Sequence, residues 1–270
     1  MSGHTPSPEA HRICNVVPTQ PEDMQKDWLI GHALSSGAIT APPALPPSVD
    51  LRAAWWAIGD QENTGSCVGW GSTDGVARYQ LVKAGKIPQS QLLSPRYTWM
   101  ASKEADSSKP HPITMIEEAG TSLRGAVNIL KNYGAATAQQ LSFEINKLMY
   151  TGDENSFYAS LSQRKISAYF NMLKDINQWR NWLASHGPIL AGLSVDRSWD
   201  NATATHGLID HFQPNTVRGG HAIAVVGYRA DGTFIVRNSW GVTWGDHGFG
   251  YVTQAYIAAA FFAESYGVTV

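Results

Sequence analysis

The stretch Gln61-Glu62-Asn63-Thr64-Gly65-Ser66-Cys67 places a side-chain amide six residues before a thiol. Far downstream the chain reads Gly219-Gly220-His221-Ala222-Ile223, and then Arg237-Asn238-Ser239-Trp240-Gly241. In chain order, these three segments contain an amide, a thiol, an imidazole and a second amide. Together they are the set of groups that catalysis by a thiol nucleophile requires.

Each of the four groups has a chemical task in such a reaction. Cys67 can attack a carbonyl carbon, and His221 can take up the thiol proton. Asn238 can hold the imidazole in one tautomer, and Gln61 can direct an N–H donor at a developing oxyanion. A helix beginning at Cys67 would favour the thiolate through its dipole.

The ordinary structural interpretation of these residues is weaker than the catalytic one. A lone cysteine is more often a buried core residue, and Asn238 could simply form a turn. His221 could be a satisfied strand histidine and Gln61 part of a loop surface. Because all three motifs occur together and in order, we favour catalysis.

A metal site is the other possible use of histidine here. His206, Asp210 and His211 are close in sequence, but their spacing matches no usual zinc pattern. His206, His211 and His247 lie among small polar residues typical of surface loops. We therefore expect no metal and no cofactor.

Composition limits the remaining functional classes. The chain has 270 residues, 43% hydrophobic and 16% charged, with a net charge of -2, which is typical of a globular protein. No basic run favours nucleic acid, and no apolar run is long enough to span a membrane. No ordinary signal peptide is visible, which predicts a cytoplasmic protein or one exported by another route.

Two cysteines, Cys14 and Cys67, are too few for a disulfide framework. A bridge between them is formally possible, but it would block the proposed nucleophile. The sequence therefore favours two free thiols.

Periodicity predicts a helical first half and a sheet-like second half. The fold class is accordingly α+β, with two lobes and a cleft between them. Glycines in the first helix indicate tight packing against a neighbouring backbone. The expected helices are 67–83, 122 to Gly134 and 176–185, and the expected strands are 189–195, 221–228 and 233–238.

These motifs resemble the papain-like cysteine peptidases. The resemblance is carried by Gln61 through Cys67, by Gly220-His221-Ala222, and by Asn238-Ser239-Trp240-Gly241. Val49-Asp50-Leu51-Arg52 is similar to the start of the mature enzyme, and Gly120-Thr121-Ser122-Leu123 to the cleft-lining segment of the left lobe. The resemblance covers residues 46–270.

The resemblance implies a left lobe of helices, 46–165, and a right lobe with an antiparallel, barrel-like sheet, 166–270. It implies a thiol endopeptidase with a polypeptide substrate and a Cys67 acyl-enzyme. His221 would be the general base and acid, Asn238 the orienting amide and Gln61 the oxyanion donor. The implied substrate-binding residues are Gly120, Thr121, Ser122, Gly220 and Trp240, and Trp240 would also shield the bond between Asn238 and His221.

Two departures from the family pattern are informative. Thr64 stands where secreted members carry a half-cystine, which removes a family disulfide and fits a bacterial or cytosolic type. Gly220 replaces an acidic residue that often precedes the histidine, and we expect it to widen the specificity pocket.

Other outcomes remain open at this point. The same acyl-enzyme could be passed to an amine or thiol acceptor, making the protein a transferase or ligase. The scaffold could also be a catalytically silent peptide-binding module. Residues 1–45 form an N-terminal extension that could cover the cleft as a pro-segment, although simple docking on the right lobe is the interpretation we favour.

Overall fold

The computed structural model describes residues 11–42, 44–106, 113–144 and 152–270, so residues 1–10 and 43 of the N-terminal extension lie outside it. A π-helical segment, Trp70–Ala77, joins the helices Cys67–Gly69 and Arg78–Lys83. In chain order the elements are α1 Pro21–Met24, α2 Ile30–Ser35, β1 Val49–Asp50, α3 Cys67–Gly69, α4 Arg78–Lys83, α5 Pro95–Ala105, α6 Leu123–Asn132, α7 Glu154–Leu161, β2 Ala168–Asn171, α8 Ile176–Ser185, β3 Ile189–Val195, α9 Arg197–Asp200, β4 Leu208–Ile209, β5 Gly219–Tyr228, β6 Phe234–Arg237, β7 Phe249–Val252, α10 Gln254–Ala260 and β8 Phe261–Thr269.

The helices predicted from periodicity are confirmed, and their caps explain their limits. The Ser122 hydroxyl accepts a hydrogen bond from the Gly125 N–H at the start of α6. The Asp175 carboxylate does the same for two N–H groups at the start of α8. Gly134 follows α6 in the left-handed region, at φ +98°, which closes the helix.

The run that begins at Cys67 packs unusually close to its neighbours. A Cβ at Gly69 would lie 2.4 Å from the Pro95 carbonyl oxygen, and one at Gly75 would lie 2.9 Å from the Ala224 Cβ. The predicted tight packing of these glycines is therefore confirmed. The π-helical turns were not predicted from the sequence.

The strands form an open sheet in the order β2-β8-β3-β5-β6-β7-β4, with β1 also paired to β5. All pairs are antiparallel except β4 with β7. Asp231-Gly232 lies in the hairpin turn between β5 and β6, where the Arg229 N–H donates to the Thr233 carbonyl oxygen at 2.8 Å. The sheet is open rather than closed into the barrel-like form expected for the right lobe.

Strand β5 lies at the centre of the sheet and is buried on both faces. Ile223 and Val225 pack with the tryptophans of α8. On the other face, Ala222 and Ala224 pack with Cys67 and the helical run that follows it. Burial on both faces explains why the strand is a continuous apolar run rather than an alternating one. The helical layer and the sheet therefore meet directly along β5.

The N-terminal arm, residues 11–42, docks on the sheet side of the molecule. Ile30 and Ala33 of α2 belong to the same apolar cluster as Trp182. The Asp27 carboxylate accepts hydrogen bonds from Arg124 at 2.7 Å and from the Tyr266 hydroxyl at 2.8 Å. The arm and β1 precede residue 165 in sequence but pack against the sheet of the second lobe. The expected division of the chain into lobes at residue 165 therefore stays a prediction.

None of the helices in the described part of the chain is long and apolar enough to cross a membrane.

Close packing of α3 on α5 gives a stability prediction. Replacing Gly69 with Ala adds a methyl group where Pro95 leaves no room, so we expect a loss of about 1–3 kcal/mol in the free energy of unfolding. The matched control is Gly31→Ala in α2, where nothing lies within 4 Å. That variant should gain up to about 1 kcal/mol from helix propensity. Urea denaturation of both variants measures the difference, and equal stability would contradict the packing argument.

Candidate active site

Cys67 is the first residue of α3 and is fully buried. Backbone N–H groups of Ala222, Val68 and Asn15 point at its sulfur. Burial raises the pKa of the Cys67 thiol to about 11, and these N–H groups offset part of that rise. Because Ala222 follows His221 in β5, the sulfur lies beside the strand that carries the imidazole.

His221 and Asn238 are hydrogen-bonded as the sequence predicts. The His221 Nε2 lies 2.7 Å from the Asn238 Oδ1, which also accepts the Ser239 N–H at 2.8 Å. Since an amide oxygen only accepts, Nε2 carries the proton and Nδ1 is the basic nitrogen. Nδ1 is buried with no hydrogen-bond partner, which leaves it free for a proton from a thiol.

The imidazole is enclosed by indole rings. The His221 ring lies 4.8 Å from the Trp240 ring and 5.7 Å from the Trp199 ring, measured between centroids. Burial lowers the pKa of His221 to about 4, although the bond to Asn238 opposes this shift. Trp240 therefore lies where it would shield the bond between Asn238 and His221.

Gln61 is held in one orientation by its neighbours. The Ser239 hydroxyl donates to its Oε1 at 2.9 Å, which directs the amide nitrogen the other way. That nitrogen donates to the carbonyl oxygens of Thr64, at 3.0 Å, and Ile13, at 3.1 Å. In place of the absent half-cystine, the Thr64 hydroxyl donates to the Gln61 carbonyl oxygen at 2.6 Å.

Residues 12–17 of the arm, called the cleft segment below, lie across the site. The Val16 N–H donates to the Gly220 oxygen at 3.0 Å, and the Val17 N–H to the Thr121 oxygen at 3.1 Å. A Cβ at Gly120 would lie 1.5 Å from the Asn15 oxygen. The predicted groove residues Gly120, Thr121 and Gly220 thus all contact a peptide backbone.

The structure gives two predicted groove residues a different surrounding from the one expected. Ser122 is the N-cap of α6, and its hydroxyl accepts a hydrogen bond from the Gly125 N–H. A Cβ at Gly220 would lie 2.5 Å from the Phe262 ring, so this ring fills the space that the missing side chain leaves. The pocket is therefore not widened as we expected. Phe262 is far from Gly220 in sequence and carried no signal.

Sequence analysis missed the charged groups that hold the cleft segment. The Arg12 guanidinium pairs with Asp60 and donates to the Trp240 carbonyl oxygen at 3.3 Å. Arg218 donates to the Arg12 carbonyl oxygen and pairs with Asp200 at 2.8 Å. These contacts join residues far apart in the chain, so no local pattern could have predicted them.

The residues considered for metal binding, His206, Asp210 and His211, are all exposed. His247 is exposed too, as the loop composition around these histidines predicts. Within the described ranges, no group of three or more histidine, cysteine, aspartate or glutamate side chains is arranged to hold a metal ion.

The fold and the site together define a class of protein, in which a buried thiol at a helix start lies beside a strand bearing an amide-oriented imidazole. The family model described as papain family cysteine protease matches residues 45–264. The chain belongs to this family, as the motifs predicted.

Individual relatives agree with this assignment. Macrodontain-1 of Ananas macrodontes is 27% identical over 207 residues, covering 76% of this chain and 88% of that protein. A peptidase C1-like protein of Acanthamoeba polyphaga mimivirus is 27% identical over 154 residues, and the chain spans only 49% of its length. Xylellain, a cysteine protease from Xylella fastidiosa, has a similar structure, with a TM-score of 0.77 at 19% identity over 100% of this chain and 99% of that one. The last likeness confirms the papain-like fold.

The bond between His221 and Asn238 leads to a kinetic prediction. Asn238→Ala removes the acceptor that orients the imidazole, and we expect kcat/KM on a peptide substrate to fall about 10–100-fold, the value of a charge-assisted hydrogen bond. Because this bond raises the pKa of His221, the acid limb of the pH profile should move to lower pH. Asn132→Ala, on the exposed end of α6, should change neither quantity. An unaltered acid limb in Asn238→Ala would show that the amide does not act on the imidazole.

Proposed function

We propose that the protein hydrolyses peptide bonds through a Cys67 acyl-enzyme, with His221, Asn238 and Gln61 in the roles given above. One observation carries the proposal. The chain's own Ile13 carbonyl oxygen accepts a hydrogen bond from Gln61 Nε2, and the Asn15 N–H, two residues further on, points at the Cys67 sulfur. A bound peptide carbonyl on Gln61 supports the proposal that this side chain would donate to the oxyanion.

The chemistry follows from this arrangement. The Cys67 thiol transfers its proton to His221 Nδ1, and the thiolate attacks the carbonyl carbon of the scissile bond. The oxyanion of the tetrahedral intermediate accepts the Gln61 N–H. His221 then protonates the departing amine, which leaves a thioester on Cys67. Water, deprotonated by His221, attacks the thioester, and the carboxylic acid product and the free thiol are released.

Cleavage within a chain fits the groove better than trimming from an end. The cleft segment passes the site without a break, with Arg12 on the Trp240 side and Val16 and Val17 on the Gly220 and Thr121 side. A groove that holds peptide on both sides of the nucleophile accommodates an internal bond. The proposed substrate is therefore a polypeptide bound in extended form.

The arm would also lower the activity of this enzyme, leaving only the turnover that occurs while the cleft segment is lifted. In the covered state burial raises the pKa of Cys67 to about 11 and lowers that of His221 to about 4, so both groups are neutral at pH 7. At that pKa only about one thiol in ten thousand is ionised. Lifting the cleft segment would let water and the imidazole stabilise the thiolate. Covering of the cleft, rather than simple docking, is therefore the role we propose for residues 12–17.

The nucleophile can be tested directly by substitution and alkylation. Cys67→Ala should abolish turnover of a peptide library while leaving the thermal unfolding curve close to that of the parent chain. Iodoacetamide should inactivate the parent by modifying Cys67, which mass spectrometry of its peptides identifies. Cys14→Ser is the matched control and should retain activity. Inactivation with Cys67 unmodified would refute its role as nucleophile. Products joined to an added amine would instead favour the transferase alternative, and a reactive thiol without turnover would favour the binding module.

Covering of the cleft is tested by shortening the chain. A chain starting at Pro18 lacks the cleft segment but keeps Asp27 and α2, so its anchoring contacts remain. We expect Cys67 to react with iodoacetamide at pH 7 at least about tenfold faster than in the full chain, because its thiolate is no longer desolvated.

A chain starting at His11 is the control for truncation itself, since it keeps the cleft segment, and its rate should match that of the full chain. Equal rates in the chains starting at His11 and Pro18 would rule out inhibition by the arm. Circular dichroism should confirm that both shortened chains remain folded.

A further inference from the structure

The two cysteines of the sequence lie close enough at the proposed active site to influence each other electrostatically. Both are free and buried, with 6% of Cys14 and none of Cys67 exposed. One is the proposed nucleophile, and the other lies in the cleft segment that covers it. The peptidase mechanism has no use for Cys14.

Backbone contacts fix the position of Cys14 relative to Cys67. The residue before it, Ile13, places its carbonyl oxygen on Gln61. The residue after it, Asn15, directs its backbone N–H at the Cys67 sulfur. The Cys14 Cα is therefore about 2.4 Å from an atom that touches this sulfur. Disulfides span Cα separations of about 4.4–6.8 Å, which such an arrangement allows.

The surroundings of Cys14 keep it in this place. Its carbonyl oxygen and Cβ occupy the space of a missing side chain at Gly219, 2.0 Å and 3.3 Å from where a Cβ would be. Its thiol contacts the Arg12 carbonyl oxygen at 3.7 Å. Forming a bond between the two sulfurs therefore requires the cleft segment to lift and to return with the Cys14 thiol turned from Arg12 towards Cys67.

We propose that Cys14 is a resolving cysteine, which forms a reversible disulfide with Cys67 and thereby ties the cleft segment covalently over the active site. The proposal rests on the proposed function in one respect, namely that Cys67 is the reactive thiol. The disulfide would add an oxidation-dependent covalent link, called the lock below, to a cleft segment that is otherwise held over the site by hydrogen bonds and ion pairs.

The chemistry needs a two-electron oxidant, for which we name hydrogen peroxide. When the cleft segment lifts, the Cys67 thiolate attacks one peroxide oxygen, forming a sulfenic acid and releasing hydroxide. When the segment returns, the Cys14 sulfur attacks the Cys67 sulfur and displaces water. In total, two thiols and one peroxide give one disulfide and two waters. A dithiol reductant restores both thiols and is itself oxidised to a disulfide.

This order of steps fits the two microenvironments. In the docked segment burial raises the pKa of Cys14 to about 12 and that of Cys67 to about 11, so neither thiol is a good target until the segment lifts. In the open state Cys67 lies next to His221, which takes up its proton and makes Cys67 the first target of the oxidant. Once Cys67 is oxidised, Cys14 is the nearest thiol and captures the sulfenic acid before a second peroxide converts it to the irreversible sulfinic acid.

The experiment uses the full chain treated with one equivalent of peroxide, followed by N-ethylmaleimide and peptide mapping without reduction. We expect a cross-linked pair of peptides containing Cys14 and Cys67 within one chain, which dithiothreitol separates. Cys67→Ser should leave Cys14 reduced. Separate modification of the two thiols, or a disulfide between two chains, would overturn the proposal.

Activity after oxidation provides the second readout. Following excess peroxide and then dithiothreitol, the parent chain should recover at least about fivefold more activity than Cys14→Ser, in which Cys67 proceeds to sulfinic acid. Equal recovery would also overturn the proposal. Because peptide mapping does not depend on turnover, an inactive chain that still forms the bridge would refute only the peptidase function. An active chain without the bridge would refute only the lock.

Discussion

The close approach of the helical run that begins at Cys67 to strand β5 is the constraint on which the rest of this structure depends. Small residues make it possible, since a Cβ at Gly71 would lie 3.5 Å from the Ala222 carbonyl carbon and one at Gly75 would lie 2.9 Å from the Ala224 Cβ. The approach places Cys67 at the level of the β5 backbone, next to His221. The relative position of thiol and imidazole is thus set by packed backbones, which tolerate displacement less well than flexible side chains would.

A buried ionic network supports the site from behind. Asp74, in the π-helical segment, pairs with Arg78 at 3.0 Å and with Arg237 at 2.6 Å. Arg237 directly precedes Asn238, so this network joins the helix that begins at Cys67 to the strand that ends at the orienting amide. Removing one partner would leave an uncompensated buried charge, which is among the costliest changes a core can suffer. The helical layer and the sheet are therefore joined by charge as well as by apolar packing.

The sequence was sufficient for the family, the α+β fold and the limits of α8 and β3, because these depend on local patterns such as the Asp175 cap and β-branched runs. It also predicted the pairing of His221 with Asn238, which the motifs imply. It could not predict that Phe262 fills the space at Gly220 or that the sheet stays open, because both depend on distant strands. The sequence left open whether the N-terminal extension covers the cleft or simply docks, because the contacts of the cleft segment are made one at a time with residues far away in the chain.

One part of the arm attaches it to the rest of the protein, and another part, the cleft segment, lies over the proposed active site. Residues from Thr19 onwards are held by buried contacts, including the Thr19 hydroxyl on Glu264 at 2.7 Å and Asp27 on Arg124. The cleft segment is held by backbone hydrogen bonds and by ion pairs that remain partly exposed, which contribute less to stability. In the proposed inhibition the segment leaves the site while the anchor stays docked, and it then returns at a high effective concentration. Such a tethered inhibitor would need little intrinsic affinity, so a change in the few groups that hold it would be enough to control its release.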